Sequence, residues 1–391
     1  MPSFVKRTWH ADFAGGGPRS AKQSFVYEAL VPDPIADLAL VFPDDLVHEM
    51  ALAEAGVREL QVVAAAGFEP LNRLLMRSES IASSFIEGLA ISPRRLAEAS
   101  LEPGAASETA KEVLGSVRAM ELAIDQGAAA GAFATSHLLA IHRSLFEGTR
   151  LERIAGRLRE TQNWIGGDPY SPRRAEFIPP PEDQVPALLD DLCAFVNREN
   201  FPAVAQAAIA HAQFETIHPF ADGNGRVGRA LIHVLLRRRG IAGSVVPPAS
   251  IALAGDIARY LSALKAFERG DPLPWCRLFA QTLARATAVG YKAISDISDI
   301  QANWARQLRP RGGSALEKLI VALPAVPVLD VKTAAAFLGV SGEAARQAIL
   351  ALEALGALAP SALGRQRYRV WRAPDILAVM DGAALYLEGR R

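Results

Sequence analysis

Apolar residues recur every three or four positions along most of this chain, a spacing that predicts amphipathic helices. "DLVHEMALAEAGVRELQVVAA", residues 45–65, is one such stretch. "GRALIHVLLRRRG", residues 228–240, is another, with Leu231, Val234 and Leu235 on one face. Residues 1–24, rich in Gly and Ser, read as a poorly ordered lead-in. From Phe25 ("FVYEALVPDPIADL") to about Leu101 the pattern reads as helical, with a turn at Pro32 and Pro34. Pro103 and Gly104 break it, and "SETA" at 107–110 is placed to cap the next helix. Helices then follow one another to about Arg306, with one exception. Around "WIGGDPYSPRRAEFI", residues 164–178, short β-prone pieces flank a Gly/Pro/Ser/Asp-rich turn, the signature of a hairpin. Pro179 to Pro181 end it, and a helix is expected from Val185.

A Gly/Pro/Arg linker falls at 309–314. Beyond it, residues 331–358 predict two helices joined at Gly339-Val340-Ser341, and "LAPSALGRQRYRVWRAPDI" predicts a pair of strands with a Gly-containing turn. Helix, turn, helix and wing make a winged helix-turn-helix. The expected organisation is mainly α: an N-terminal helical unit at 1–105, a core at 106–308 and the winged unit at 314–391.

Alanine and leucine dominate a chain that is 50% hydrophobic, which favours helix. The formal charge is zero, 42 basic against 42 acidic residues, so any anion binding must be local. Cys193 and Cys276 lie in apolar helical stretches without metal-ligand or disulfide spacing and read as buried thiols. No segment has the length of a membrane span, and no apolar leader opens the sequence, so a cytoplasmic protein with no membrane partner is expected.

One stretch concentrates polar chemistry: "HPFADGNGRVGR", residues 218–229, between two helical runs. Gly223, Asn224 and Gly225 fall where a tight loop enters a helix N-terminus, whose free N–H groups and dipole favour an anion. Asn224 adds a side-chain donor, and Arg226 and Arg229, three apart, share a helix face suited to neighbouring phosphates. Asp222 offers a carboxylate beside that anion, as Mg²⁺ requires. His218 is placed to take a proton from an attacking hydroxyl. Taken singly, each residue fits a turn, a cap or a solvated face. Together they read as a polyphosphate-transfer site.

This stretch resembles the Fic family signature HPFx[D/E]GNGRxxR without departure, and the resemblance extends over roughly residues 25–300, including a hairpin flap. It implies a Fic-type helical core and transfer of AMP from ATP to a protein hydroxyl. His218 would then be the general base, Asp222 the Mg²⁺ ligand, and Gly223, Asn224 and Gly225 the anion hole, with Asn224 on the α-phosphate. Arg226 and Arg229 would bind the distal phosphates, and Phe220 would anchor the loop in the core. A target segment would add as a strand on the flap, about 156–178.

"SSFIEG", residues 83–88, is on its own a helix ending at Gly88. It also resembles the inhibitory motif [S/T]xxxE[G/N] of self-inhibited Fic proteins. That resemblance implies Ser83, Glu87 and Gly88 as inhibitory residues, Glu87 pairing with Arg229, and a further role for Glu87 in removing AMP from modified targets. Two alternatives stay open. One is a DNA-binding regulator acting through Arg346, Gln347, Arg365, Arg367 and Arg369 of the winged unit, which equally suits a protein partner. The other is a Fic enzyme transferring another nucleotide, phosphocholine or a phosphate. A homodimer is also compatible with the sequence.

Overall fold

In the computed structural model, residues 2–10, 23–64, 69–129, 131–168, 170–243, 245–361 and 369–385 are described. The chain opens with two antiparallel strands, β1 (Ser3–Trp9) and β2 (Phe25–Val31), in register from Ser3↔Val31 to Trp9↔Phe25. This corrects the expectation of a loose lead-in followed by helix. In "FVYEALV" the half-buried and exposed positions alternate with period two before the last residues become buried, the pattern of a strand with one covered face. The hairpin packs on the flap. The Leu30 N–H donates to the Ile178 carbonyl at 2.9 Å, Trp9 meets Trp164 edge-on at 5.5 Å, and Arg7 forks onto Asp183 at 2.8 Å.

Helices follow: α1 (Asp44–Ala64), α2 (Glu69–Ile86), α3 (Pro93–Leu101), α4 (Glu108–Leu122), α5 (Thr135–Phe146), α6 (Val185–Val196), α7 (Ala203–Ile217), α8 (Asn224–Arg238), α9 (Ala249–Ala254), α10 (Ile257–Glu268) and α11 (Leu273–Leu308). Ser107 caps α4 as expected, its side chain accepting from the Ala110 N–H. Between α5 and α6, Ile165 pairs with Phe177 and Asp168 with Ser171, so the expected hairpin is present. Helix α7 is buried from Ala203 to Phe214 on all sides. Its alanines leave room for α6, α8 and the start of α11 to close around it, and Trp275 of α11 donates its indole N–H to the Ala208 carbonyl. Both cysteines are buried and free.

Past α11 the chain turns at Arg309, left-handed, and restarts at the Ser314 cap of α12 (Ala315–Ala322). β3 (Val328–Leu329), α13 (Val331–Leu338), α14 (Gly342–Leu355), β4 (Ala359–Pro360), β5 (Trp371–Arg372) and α15 (Pro374–Leu385) complete it, with strand order β3-β5-β4. The two helices and the turn at Gly339 therefore fall where expected. Residues 362–368, with Arg365 and Arg367, lie outside the described residues. Arg346 and Gln347 both bond Glu343 of their own helix, at 3.0 and 2.7 Å, and Arg369 lies 3.6 Å from Glu353.

Helices α2 and α8 run antiparallel, joined by polar contacts in ladder order. Glu79 meets His233 at 3.0 Å, and Ser83 and Glu87 meet Arg229. Glu79, wholly buried, also accepts from the Ser250 N–H at 2.8 Å and its hydroxyl at 2.5 Å. The other side of α2 (Leu71, Leu74, Leu75) shares an apolar cluster with Leu319, Leu323, Ile376 and Leu377 of the C-terminal unit. Truncating Glu79 strips His233 and Ser250 of their partner inside the protein. Glu79→Ala is expected to destabilise by about 3 kcal/mol in urea unfolding, and Glu79→Gln by less. A loss below about 1 kcal/mol for Glu79→Ala would show that the network does not hold α2 to α8.

Candidate active site

Helix α7 ends at Ile217, and His218 takes the left-handed conformation, φ 49° and ψ 59°, which is strained for a residue with a Cβ. What holds it is a set of bonds to carbonyls. Arg159 Nε donates to the His218 carbonyl at 2.9 Å, its other guanidinium nitrogens reach Thr161 and Pro180, and its backbone N–H donates to the Pro219 carbonyl. One side chain thus ties the His218 turn to the flap. Phe220, wholly buried, stacks on His142 of α5 at 3.8 Å with the rings 1° from parallel. His142 Nδ1 accepts from the Gly156 N–H, so its Nε2 carries the proton and donates to the Asp222 carbonyl at 3.1 Å.

The turn then enters α8. Gly223 stands at φ 79°, and a Cβ there would lie 2.7 Å from Leu145 and 2.9 Å from Phe146, so both conformation and space require glycine. The Asn224 amide accepts from the Phe220 N–H at 2.8 Å and donates to the Phe220 carbonyl at 2.9 Å. The sequence reading gave this side chain to the anion, but in the structure it closes the loop. What Asn224 offers an anion is its backbone N–H. No side chain caps α8 by a hydrogen bond, so its first-turn N–H groups have no side-chain acceptor of their own.

Electrostatically the site is an enclosed cluster of opposite charges. His218 Nδ1–H donates to the Glu215 carbonyl at 3.2 Å, which leaves Nε2 as the acceptor, and burial pushes the imidazole down to about 4. Arg229, 1% exposed, donates from Nε to Ser83 Oγ at 2.8 Å and from Nη2 to the Ser83 carbonyl at 2.7 Å and Glu87 Oε1 at 2.8 Å. Burial alone would raise the Glu87 carboxyl, but the charge and hydrogen bond of Arg229 outweigh it and hold it below the ordinary range. The same carboxylate lies where a Cβ on Gly225 would be, 2.0 Å from that position, so it covers the N-terminus of α8. Glu87 keeps 36% of its side chain open while Arg229 keeps 1%, which makes the carboxylate the partner able to leave. Arg226 is buried over the Phe146 ring at 5.0 Å, 3.4 Å from Asp222 and 3.9 Å from Glu112, with Nε and Nη1 lacking hydrogen-bond partners. Such a guanidinium is short of acceptors.

Among the described residues no group of three or more His, Cys, Asp or Glu is placed to hold a metal. Asp222 is exposed beside the helix end and accepts from Arg226 at 3.4 Å. A single carboxylate there fits Mg²⁺, which takes one or two protein carboxylates and completes its shell with phosphates and water.

The Fic/DOC family profile matches residues 132–236, from just before α5 to near the end of α8. The chain carries a Fic/DOC family domain. Its sequence is similar to a probable protein adenylyltransferase of Aquifex aeolicus, 32% identical over 130 residues, which are 33% of this chain and 37% of that protein. It is similar also to the protein adenylyltransferase fic-1 of Caenorhabditis elegans, 30% identical over 147 residues, 37% of this chain and 26% of that protein. The chain thus spans little more than a third of the length of the first of these relatives and about a quarter of the second. In fold it is similar to a Fic family protein from Desulfovibrio desulfuricans G20, TM-score 0.56 at 21% identity, covering 85% of this chain and 97% of that one.

The Fic domain brings His218, Asp222, Gly223, Asn224, Gly225, Arg226 and Arg229 into one loop and helix end. Ser83 and Glu87 reach it from α2, and Gly88, at φ 80°, ends that helix turn. No described helix is long and apolar enough to cross a membrane. Sequence reasoning missed His142 and Arg159, which act on carbonyls and leave no motif. Burial depresses both His142 and His218 to about 4 from an ordinary 6.5. The folded state then binds these protons less well than the unfolded chain, and the associated stability is lost as pH falls from about 6.5 through about 4. In an NMR titration of imidazole resonances both should stay neutral until about pH 4. A His218 midpoint above 6 would contradict the enclosure described here.

Proposed function

We propose that this protein transfers AMP from ATP to a Ser, Thr or Tyr hydroxyl of a target protein and to itself, with Glu87 as its restraint. The observation that carries the reading is the conjunction, in one loop of a Fic domain, of a neutral imidazole with Nε2 unbonded and a helix N-terminus without a side-chain cap, flanked by Arg226 and Arg229. The named relatives add the nucleotide, since they are adenylyltransferases by name. In the reaction the hydroxyl oxygen attacks the α-phosphorus and its proton passes to His218 Nε2. The new O–P bond forms as the bond to the bridging oxygen of the β-phosphate breaks, and pyrophosphate leaves. First-turn N–H groups of α8 hold phosphate oxygens, and Arg226 and Arg229 take the distal phosphates. Asp222 would hold Mg²⁺, which when bound neutralises phosphate charge. A target segment would dock as a strand on the flap. Because the Ile178 carbonyl already accepts from Leu30, the edge left for it is the one bearing Trp164.

Restraint follows from competition for one guanidinium. While Glu87 holds Arg229, a γ-phosphate must displace a charge-assisted pair, and the carboxylate over Gly225 repels phosphate from the same helix end. With α-labelled nucleoside triphosphates and a cell lysate, label is expected on protein from ATP. Preferential labelling by another triphosphate would make this a different nucleotidyl transferase.

His218→Ala is expected to lower transfer about a hundredfold or more while ATP affinity is retained, because the imidazole acts on the hydroxyl and not on the phosphates. Wild-type transfer by this variant would remove His218 from its role.

Glu87→Gly is expected to raise self-modification by roughly tenfold or more, the weight of one charge-assisted hydrogen bond. The gain should vanish in Glu87→Gly with Arg229→Gln, where the freed partner is gone. A single variant no faster than the parent would reduce "SSFIEG" to a helix end. A double variant that keeps the gain would show that Glu87 restrains the reaction through some other group.

A further inference from the structure

Behind α2, on the side away from the catalytic loop, a cavity of about 240 Å³ opens between α2, α3 and α4. Three arginines line it, Arg73 and Arg77, one turn apart on α2, and Arg118 from α4, together with the exposed Glu121 and with Ser100 of α3, whose hydroxyl donates to the Leu96 carbonyl at 3.0 Å. Their pairing is uneven. Arg73 has Glu69 at 3.1 Å and stands over the Phe337 ring at 5.8 Å. Arg118 donates to the Glu147 carbonyl at 2.9 Å. Arg77, half-buried, donates from Nη1 to the Ala325 carbonyl at 2.5 Å, and among the described residues no carboxylate lies within ion-pair distance of it.

A guanidinium removed from water without a counter-charge is unfavourable, and a like charge one turn away adds to that. Consistently, burial and then the Arg73 charge pull Arg77 below its ordinary value, with Glu121 opposing too weakly to restore it. A protein of zero net charge has no general positive field to account for three arginines lining one cavity. The balance is restored by an anion in the cavity, accepting from Arg77 and Arg118 in the fork geometry that guanidinium presents to phosphate oxygens.

We propose that Arg73, Arg77 and Arg118 form a binding site for a phosphate group, separate from the catalytic loop. The cavity accommodates free phosphate, and its opening to solvent admits a phosphomonoester with the remainder of the ligand outside. The site stands on the helix that leads to Glu87, about three to four turns earlier, and joins it to α4. A role in setting Glu87 rests on the inhibitory reading above, whereas binding itself does not.

Binding is tested on the full chain without ATP or transfer. Inorganic phosphate and, separately, AMP are titrated by calorimetry at constant ionic strength, which removes general screening from the signal. Saturable binding in the parent is expected to weaken about tenfold or more in Arg77→Gln and several-fold in Arg118→Gln, as loss of a charge-assisted bond dictates. Where Arg77→Gln fails to fold, the exposed Arg118→Gln decides alone. A variant-sensitive signal stronger for phosphate assigns the site to the free anion, and one stronger for AMP assigns it to a phosphomonoester. No saturable binding of either, or binding unchanged in every variant that folds, overturns the proposal, and neither result bears on Glu87 and Arg229.

Discussion

Arg229 cannot stand alone where α8 puts it. A charge 1% exposed to solvent is several kcal/mol out of balance unless acceptors surround it, so α8 can carry this side chain inward only if another element brings them. Helix α2 does so, and it divides the work. Ser83 supplies a hydroxyl and a carbonyl, while Glu87 supplies the charge. If Glu87 swings away, the two Ser83 bonds still fix the guanidinium in place, and what becomes available is its unneutralised charge. A phosphate arriving then meets an arginine already oriented. On the function proposed above, restraint and readiness would be two states of this one contact, and α2 completes the charge balance at this end of α8.

The loop from His218 to Gly223 follows a related rule, in which side chains hold carbonyls and leave other atoms free. Arg159 takes the His218 carbonyl, His142 the Asp222 carbonyl, and Asn224 both backbone groups of Phe220. His218 keeps its left-handed turn and its Nε2, Asp222 its carboxylate, and the first turn of α8 its N–H groups. Such preorganisation suits a reaction whose demands are position and charge.

How much of this was legible follows from how local each cause is. Amphipathic helices and caps are set by neighbours in sequence, so α1, the Ser107 cap of α4 and the α13–α14 pair lay close to their expected places. Chemistry packed into residues 218–229 was legible for the same reason. The β1–β2 hairpin was not, because its strands find each other across residues 11–22 and its alternation was read as part of an Ala/Leu-rich helical text. Arg159 and His142 were hidden because acceptance by a backbone carbonyl leaves no motif. The bracing of Phe220 by the Asn224 amide was hidden because a donor next to an anion site is indistinguishable, in sequence, from one that braces the loop.

The setting of α2 also determines how its carboxylate can leave. One side of the helix is pinned to α8 and α9 through Glu79, His233 and Ser250, all buried. The other contributes Leu71, Leu74 and Leu75 to a cluster shared with the C-terminal unit, and Arg77 bonds the Ala325 carbonyl. Shifting the helix far enough to break a 2.8 Å contact would open both sides at once, at several kcal/mol in lost burial and unpaired polar groups. Rotating one side chain disturbs neither. Glu87 lies just past the last turn of α2, beside Gly88 at φ 80°, with a third of its side chain already in solvent. Release by side-chain rotation is therefore the low-energy route, and it leaves Arg229 held by Ser83 while the carboxylate is away.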